Sequence, residues 1–277
     1  MTASELSISS VDGKQLFTRE WKPNRETRAV ITLIHGLGEH SGRYDHVAAA
    51  LNAAGYAVMA PDLRGHGHTE GIRGHIPSYE IAMEDIRCAT EEAGRHYPAL
   101  PQFLYGHSLG GNLVLYYLLT RKPALRGAIV TSPGLAPGTP VTGLKLAAAR
   151  LMYRVIPAFT MANGLDMTGL SRDPTVSQRA KADPDYHSQV SARLGLDAIN
   201  QGAWIQNQKG PVPIPLLLMQ GSADRVVNLA ATRRFAGNIT GDVTYKEWDG
   251  WFHELHNEPG QAEVFQTIIT WLDAKLV

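Results

Sequence analysis

Ser108 stands between glycines in Gly106-His107-Ser108-Leu109-Gly110, directly after the apolar run Gln102-Phe103-Leu104-Tyr105. This is the pattern of a nucleophile elbow, a tight strand-to-helix turn that leaves the serine Oγ exposed above a sheet. Glycines are needed on either side because the turn has no room for larger side chains. Leu109, Leu113, Val114, Tyr117 and Leu118 then recur at helical spacing, so the strand, turn and helix that the motif requires are all present. The chemistry this implies is nucleophilic attack on a carbonyl, by way of a covalent intermediate.

A serine hydroxyl needs a base, and the base needs an orienting acid. The run Ile214 to Gln220 reads as a buried strand, and Gly221-Ser222-Ala223-Asp224 puts an aspartate in the loop at its C-terminal end. The next strand, Val243 to Trp248, leads into Asp249-Gly250-Trp251-Phe252-His253-Glu254-Leu255-His256. In open α/β sheets functional groups gather at the carboxyl ends of strands, which is where Ser108, Asp224 and His253 fall. Asp242 precedes its strand and belongs at the other end of the sheet, while Asp249 is too near His253 along the chain to orient it easily. Both His253 and His256 qualify as the base on these grounds. A zinc reading fails on spacing, because the position four after His253 is Asn257. His66 and His68 flank Gly67 with no third ligand in view, so no metal site is expected.

The elements that must carry these residues can be traced from the N-terminus. Leu6 to Ser10 and Gln15 to Trp21 read as a hairpin around Asp12-Gly13. Strands then alternate with helices: Ala29 to His35, a helix near Tyr44 to Ala54, Ala57 to Ala60, and a long helix from about Tyr79 to His96 before the elbow strand. The expected fold is α/β, a mostly parallel central sheet with helices on both faces. After the strand Arg126 to Thr131 the rhythm stops. The Pro/Gly-rich stretches Ser132 to Pro140 and Lys209 to Pro215 read as exit and return of an insertion. The enclosed stretch of roughly 70 residues shows no clear strand and is too long for a structureless loop, so it reads as an inserted helical cap. The expected division is 1–136 with 210–277 as catalytic core and 137–209 as cap. Within the cap Leu144, Ala148, Leu151, Met152, Val155, Ile156 and Phe159 form a helical stripe, ending at or soon after Pro157. That stripe either packs on the core, or lines an acyl-chain pocket through residues such as Leu151 and Met152 and touches lipid.

At 277 residues the chain can bury a large core, and its 26 basic and 26 acidic residues leave no electrostatic footprint for nucleic acid. No apolar run reaches the roughly 18 residues needed to span a bilayer. The one cysteine, Cys88, can form no internal disulfide, and no basic, apolar leader is apparent. A soluble protein of the cytoplasm is expected. A nicotinamide-dependent oxidoreductase is the rival class, since Gly36-Leu37-Gly38 follows a strand and Asp62 ends the next. Against it, the third glycine position is Ser41 and a histidine precedes Gly36. His35-Gly36-Leu37-Gly38 instead suits an oxyanion-hole loop, in which the N–H groups of Leu37 and Leu109 hold the developing negative oxygen.

His35 to Tyr44, Asp62-Leu63-Arg64-Gly65-His66-Gly67, Gly106 to Gly111, Gly221 to Val227, Leu170 to Pro174 and Phe252 to Glu258 together resemble the monoacylglycerol lipase and lysophospholipase branch of the α/β-hydrolases. The resemblance runs from the first hairpin to the C-terminal helix. It implies Ser108 as nucleophile, Asp224 as orienting acid and His253, the first histidine of its stretch, as base. It also implies that Glu39, Arg43 and His256 form a polar cluster near the glycerol end of the pocket, although a loop-stabilising ion pair accounts equally well for Glu39 and Arg43. The implied substrate is a small lipid ester, a monoacylglycerol first, with lysophospholipids, simple carboxylic esters and proline-iminopeptidase substrates as alternatives. No metal or organic cofactor is implied. A non-catalytic receptor on the same fold would commonly lack a triad member, and here none is missing.

Overall fold

The computed structural model describes residues 3–276. Alternating apolar residues build the sheet and decide which face each helix covers. β1 (Ser4–Ser9) and β2 (Gln15–Trp21) form the antiparallel hairpin, followed by β3 (Ala29–Ile34), α1 (Asp45–Ala53), β4 (Tyr56–Pro61) and α2 (Tyr79–His96). Next come β5 (Gln102–His107), α3 (Leu109–Arg121) and β6 (Gly127–Thr131). The segment expected to form a cap contributes α4 (Gly143–Val155), β7 (Thr160–Ala162), α5 (Pro174–Ala182), β8 (Gln189–Ser191) and α6 (Ala192–Ile205). A short strand β9 (Gly210–Pro211) leads back to β10 (Leu216–Gly221), α7 (Leu229–Asn238), β11 (Ile239–Thr240), β12 (Val243–Trp248) and α8 (Gln261–Leu276).

The main sheet has eight strands in the order β1-β2-β4-β3-β5-β6-β10-β12, all running the same way except β2. Along β5, Phe103 and Tyr105 join the apolar cluster containing Val47, Leu51, Ile268 and Leu272 of α1 and α8. Leu104 between them faces Met83, Leu113, Leu118 and Phe235 of α2, α3 and α7. Each such Leu or Phe taken from water contributes about 1.5–3 kcal/mol, so the period-two pattern fixes the register of the sheet. From β3 the chain crosses to β4 on one side and then returns to β5 on the other. A crevice therefore opens where the loops after β3 and β5 part, the expected place for a site in a doubly wound sheet.

The α/β fold, the hairpin and both sheet faces follow the sequence expectations. The cap segment differs in two respects. It contains a two-stranded antiparallel sheet, with Thr160 opposite Ser191, in strands too short to leave a periodic signal. The stripe on α4 neither packs on the core nor lines the Ser108 cavity. Leu144 is 86% exposed, Leu151 61% and Val155 65%, because α4 rests its other face on α6, where Tyr153 donates to Asp197 at 2.9 Å. Among the described residues no helix is long and apolar enough to cross a membrane.

Candidate active site

The elbow is fixed by close approach. A Cβ on Gly106 would lie 2.5 Å from the Gly110 carbonyl oxygen, and one on Gly110 would lie 2.1 Å from that of Ile34. Ser108 consequently has φ 54° and ψ −116°, a backbone state that costs a non-glycine residue about 1–3 kcal/mol. Backbone bonds hold it there: Ser108 N–H donates to Thr131 at 3.0 Å, and the Ser108 carbonyl accepts from Gly134 at 2.9 Å. The result is a half-buried serine at the head of α3, in the crevice.

Its hydroxyl lies 2.9 Å from His253 Nε2, and His253 Nδ1 lies 2.9 Å from Asp224 Oδ2. Because a carboxylate only accepts, Nδ1 carries the proton and Nε2 is the acceptor facing Ser108. Asp224 is itself oriented, accepting from the backbone N–H groups of Val226 and Val227 at 2.9 and 3.1 Å and from Gln220 at 3.2 Å. Burial disfavours the charged imidazole of His253, but the charge and hydrogen bond of Asp224 outweigh it, so its pKa is raised above the ordinary histidine value. An imidazole so placed gains stabilisation as it accepts a proton.

Gly36 approaches the serine so closely that a Cβ on it would lie 3.0 Å from Ser108 Cβ, which sets the following Leu37 beside Ser108. Leu109 is the first residue of α3, and its N–H, like the others of a first helical turn, has no intrahelical acceptor. The cavity at Ser108 is lined by Leu37, Glu39, Arg43, Leu165, Leu170 and Tyr186, among others, and measures about 20 Å³. That is room for about one water.

Of the expected polar cluster, Glu39 and Arg43 line this cavity and His256 does not. His256 is fully buried behind it, stacked on Tyr44 and edge-on to His107, with both ring nitrogens unpaired. Burial, which the nearby Glu254 only partly offsets, pushes its pKa down to about 3. Leu151 and Met152 are also absent from the lining, since α4 turns that side outward; Leu146 and Tyr153 instead help to line a separate cleft of about 310 Å³ against α6. Several lining or positioning groups were not foreseen. Ser132 donates to the His253 carbonyl at 2.7 Å, Glu254 pairs with Arg43, and Tyr186 enters from the cap. The first two left a trace, as polar residues at the end of β6 and next to His253, but their partners are distant in sequence.

The glycine loop after β3 offers no cradle for a dinucleotide. Gly36 N–H donates to Glu39 at 2.6 Å and Ser41 N–H to Asp62 at 2.7 Å, so internal carboxylates occupy the donors a pyrophosphate would need. Among the described residues, His40, Asp183 and Asp185 have ligand atoms spaced for a metal ion. These side chains already pair, His40 with Asp183 and His68 with Asp185, each at 2.9 Å, and so tie the cap to the loops after β3 and β4.

A family model described as "Serine aminopeptidase, S33" matches residues 25–260. The chain is 32% identical to the monoacylglycerol lipase of Mycolicibacterium smegmatis, over 99% of each. The chain belongs to the monoacylglycerol lipase branch of the α/β-hydrolases. It is a serine hydrolase of carboxylic esters. The crystal structure of a monoacylglycerol lipase from Paleococcus ferrophilus is similar over 94% of this chain and 99% of that one, with a TM-score of 0.84 and 34% identity. An uncharacterized abhydrolase domain-containing protein of Dictyostelium discoideum is 36% identical over the whole chain, which spans 30% of that relative's length. In this member of the branch, lipid esters are the substrate class that the relatives imply.

Proposed function

We propose that this enzyme hydrolyses monoacylglycerols, with Ser108 as nucleophile, His253 as base and acid, and Asp224 orienting the imidazole. The observation that carries the reading is the unbroken hydrogen-bond chain from Ser108 Oγ through His253 to Asp224. Ser108 Oγ gives its proton to His253 Nε2 and bonds to the ester carbonyl carbon, and the N–H groups of Leu37 and Leu109 receive the oxyanion. His253 then protonates the departing glycerol oxygen. Water, deprotonated by the same nitrogen, releases the fatty acid and restores the serine.

Leu37, Leu165, Leu170 and Val226 would receive the first carbons of the acyl chain, and Glu39, Arg43 and Tyr186 the glycerol. Two carboxylates, Glu39 and Glu254, share the single guanidinium of Arg43, which leaves the lining with surplus negative charge. That favours a neutral glycerol over the phosphodiester of a lysophospholipid. All four carboxylate oxygens are already engaged, so an amino-terminal ammonium, as an aminopeptidase substrate carries, would have to displace existing bonds. Residues 137–209 act in this reading as a cap over the core formed by 1–136 and 210–277. Because a ligand pocket for such a substrate needs about 300 Å³ or more, the cap must move to admit it.

The outward apolar face of α4, with Leu144, Leu151 and Val155, is flanked by the exposed Lys145, Arg150 and Arg154 on a helix without an acidic residue, which suits transient docking on an anionic lipid surface. The proposal includes a cytoplasmic location, supported by the unpaired Cys88. A panel of mono-, di- and triacylglycerols, a lysophospholipid, p-nitrophenyl esters and an aminoacyl-prolyl amide at matched concentration tests the substrate. Monoacylglycerol should be turned over fastest, and preference for the lysophospholipid or the amide would overturn the reading.

A further inference from the structure

The oxyanion loop and the base loop come from opposite ends of the chain, and one side chain joins them. Arg43 Nη1 donates to Glu39 Oε2 at 2.8 Å and to Glu254 Oε1 at 2.9 Å, while Nη2 donates to Glu254 Oε2 at 2.8 Å. On one side, Glu39 Oε1 accepts from Gly36 N–H at 2.6 Å and from Tyr44 at 2.9 Å, which holds the loop bearing Leu37. On the other, Glu254 follows the base His253 directly in the chain. Its second oxygen also accepts from Asn257 at 2.7 Å, and its N–H donates to the cap carbonyl of Leu170 at 2.7 Å.

Both carboxylates are 3% exposed and the guanidinium 10%. Burying two negative groups for one positive is a poor route to stability, because desolvation offsets the attraction and an apolar replacement of similar volume often does as well. What the arrangement does supply is geometry. The fork of the guanidinium fixes direction as well as distance, which a lysine ammonium cannot do.

We propose that Glu254 and Glu39, held by Arg43, form a positioning bridge that sets the oxyanion loop relative to the His253 loop, so that Leu37 N–H and His253 Nε2 address the same carbonyl group. The proposal rests on Ser108, His253 and Leu37 acting as described above. Its effect is on the transition state: a loosened bridge leaves the bound ester largely unchanged but no longer presents donor and base together.

The test is a mutant cycle on the full-length enzyme, with Glu254→Gln, Glu39→Gln and the double variant assayed on a monoacylglycerol and on p-nitrophenyl butyrate. On p-nitrophenyl butyrate, which has no glycerol for Glu39 to meet, each single change should lower kcat about tenfold or more with KM within about twofold, the pattern of an interaction made in the transition state; on the monoacylglycerol kcat should fall likewise. Because both carboxylates act through Arg43, the double variant should be no slower than the slower single variant. Affinity for a trifluoromethyl ketone that mimics the tetrahedral intermediate should fall by the same factor as kcat/KM. If Glu254→Gln does not fold, Arg43→Lys carries the test, since it keeps the charge and loses the fork; its kcat should drop likewise. Unchanged kcat, a rise confined to KM, or losses that multiply in the double variant would overturn the bridge. Failure of the underlying reading would look different: Ser108→Ala would retain activity.

Discussion

An added Cβ at Gly110 would lie 2.1 Å from the Ile34 carbonyl oxygen, whereas at Gly195, in α6 of the cap, the nearest atom would be 3.5 Å away. The crevice at Ser108 and the cap are governed by different constraints. In the crevice, backbone meets backbone and each functional group is held by others: Ser108 by Thr131 and Gly134, Asp224 by two N–H groups, His253 by Ser132. In the cap, α4 has no buried residue, and its apolar stripe faces out. The first region tolerates almost no change in shape. In the second, α6 packs on the core at Gly202, and the freedom to meet another surface lies in α4.

The contrast can be broken most severely at the crevice. Ser108→Ala should abolish ester hydrolysis and labelling by an organophosphonate, with a loss above about 10³-fold and the melting temperature little changed. Asp224→Asn, assayed at the optimum pH, should cost on the order of 10⁴-fold by letting His253 adopt the wrong tautomer. Gly110→Ala should lower kcat/KM at least about 10²-fold, as displacements near 1 Å do, and should lower the melting temperature as well. Gly195→Ala is the matched change in the cap. It should leave kcat/KM unaltered and raise stability by about 0.5–1 kcal/mol, since the helix gains a favourable residue without a clash.

The pH profile sharpens the same comparison. Burial alone would lower the pKa of His253, and Asp224 more than reverses this. The base works only when neutral, so kcat/KM should fall as pH drops, with its midpoint above the ordinary histidine value of about 6.5. Asp224→Asn should move that midpoint down. A midpoint unaffected by this change would mean that another group titrates.

How far each region could be read in the sequence follows from these constraints. The elbow glycines, Asp224 after β10 and His253 after β12 are legible because close backbone approach and the strand ends restrict residue type and position together. Helix α2 was legible to its end residues, Tyr79 and His96, because its buried face repeats over five turns. His256 lies outside the cavity lining because its ring packs on Tyr44, His46 and His107, contacts that no local pattern records. The α4 stripe has the period of a buried helix, yet period reveals only that residues share a face, not what that face meets. The bridge through Arg43 spans 211 residues in sequence, and no local pattern could announce it.

The smallest effect is expected at the outward face. Leu151→Glu with Val155→Glu should leave the melting temperature and the hydrolysis of short p-nitrophenyl esters within experimental scatter, since neither side chain is buried. Binding to vesicles containing anionic lipid, followed by co-sedimentation, should weaken. A fall in melting temperature with a uniform loss on every ester would show that the stripe supports the fold.

The account stands or falls on an ester-linked acyl group at Ser108. Enzyme mixed with a monoacylglycerol, quenched in acid within the first turnovers and digested, should yield the Ser108 peptide heavier by the fatty acid less one water, and Ser108→Ala should yield none. Steady hydrolysis with the Ser108 peptide unmodified, or with the acyl group on another residue, would contradict it.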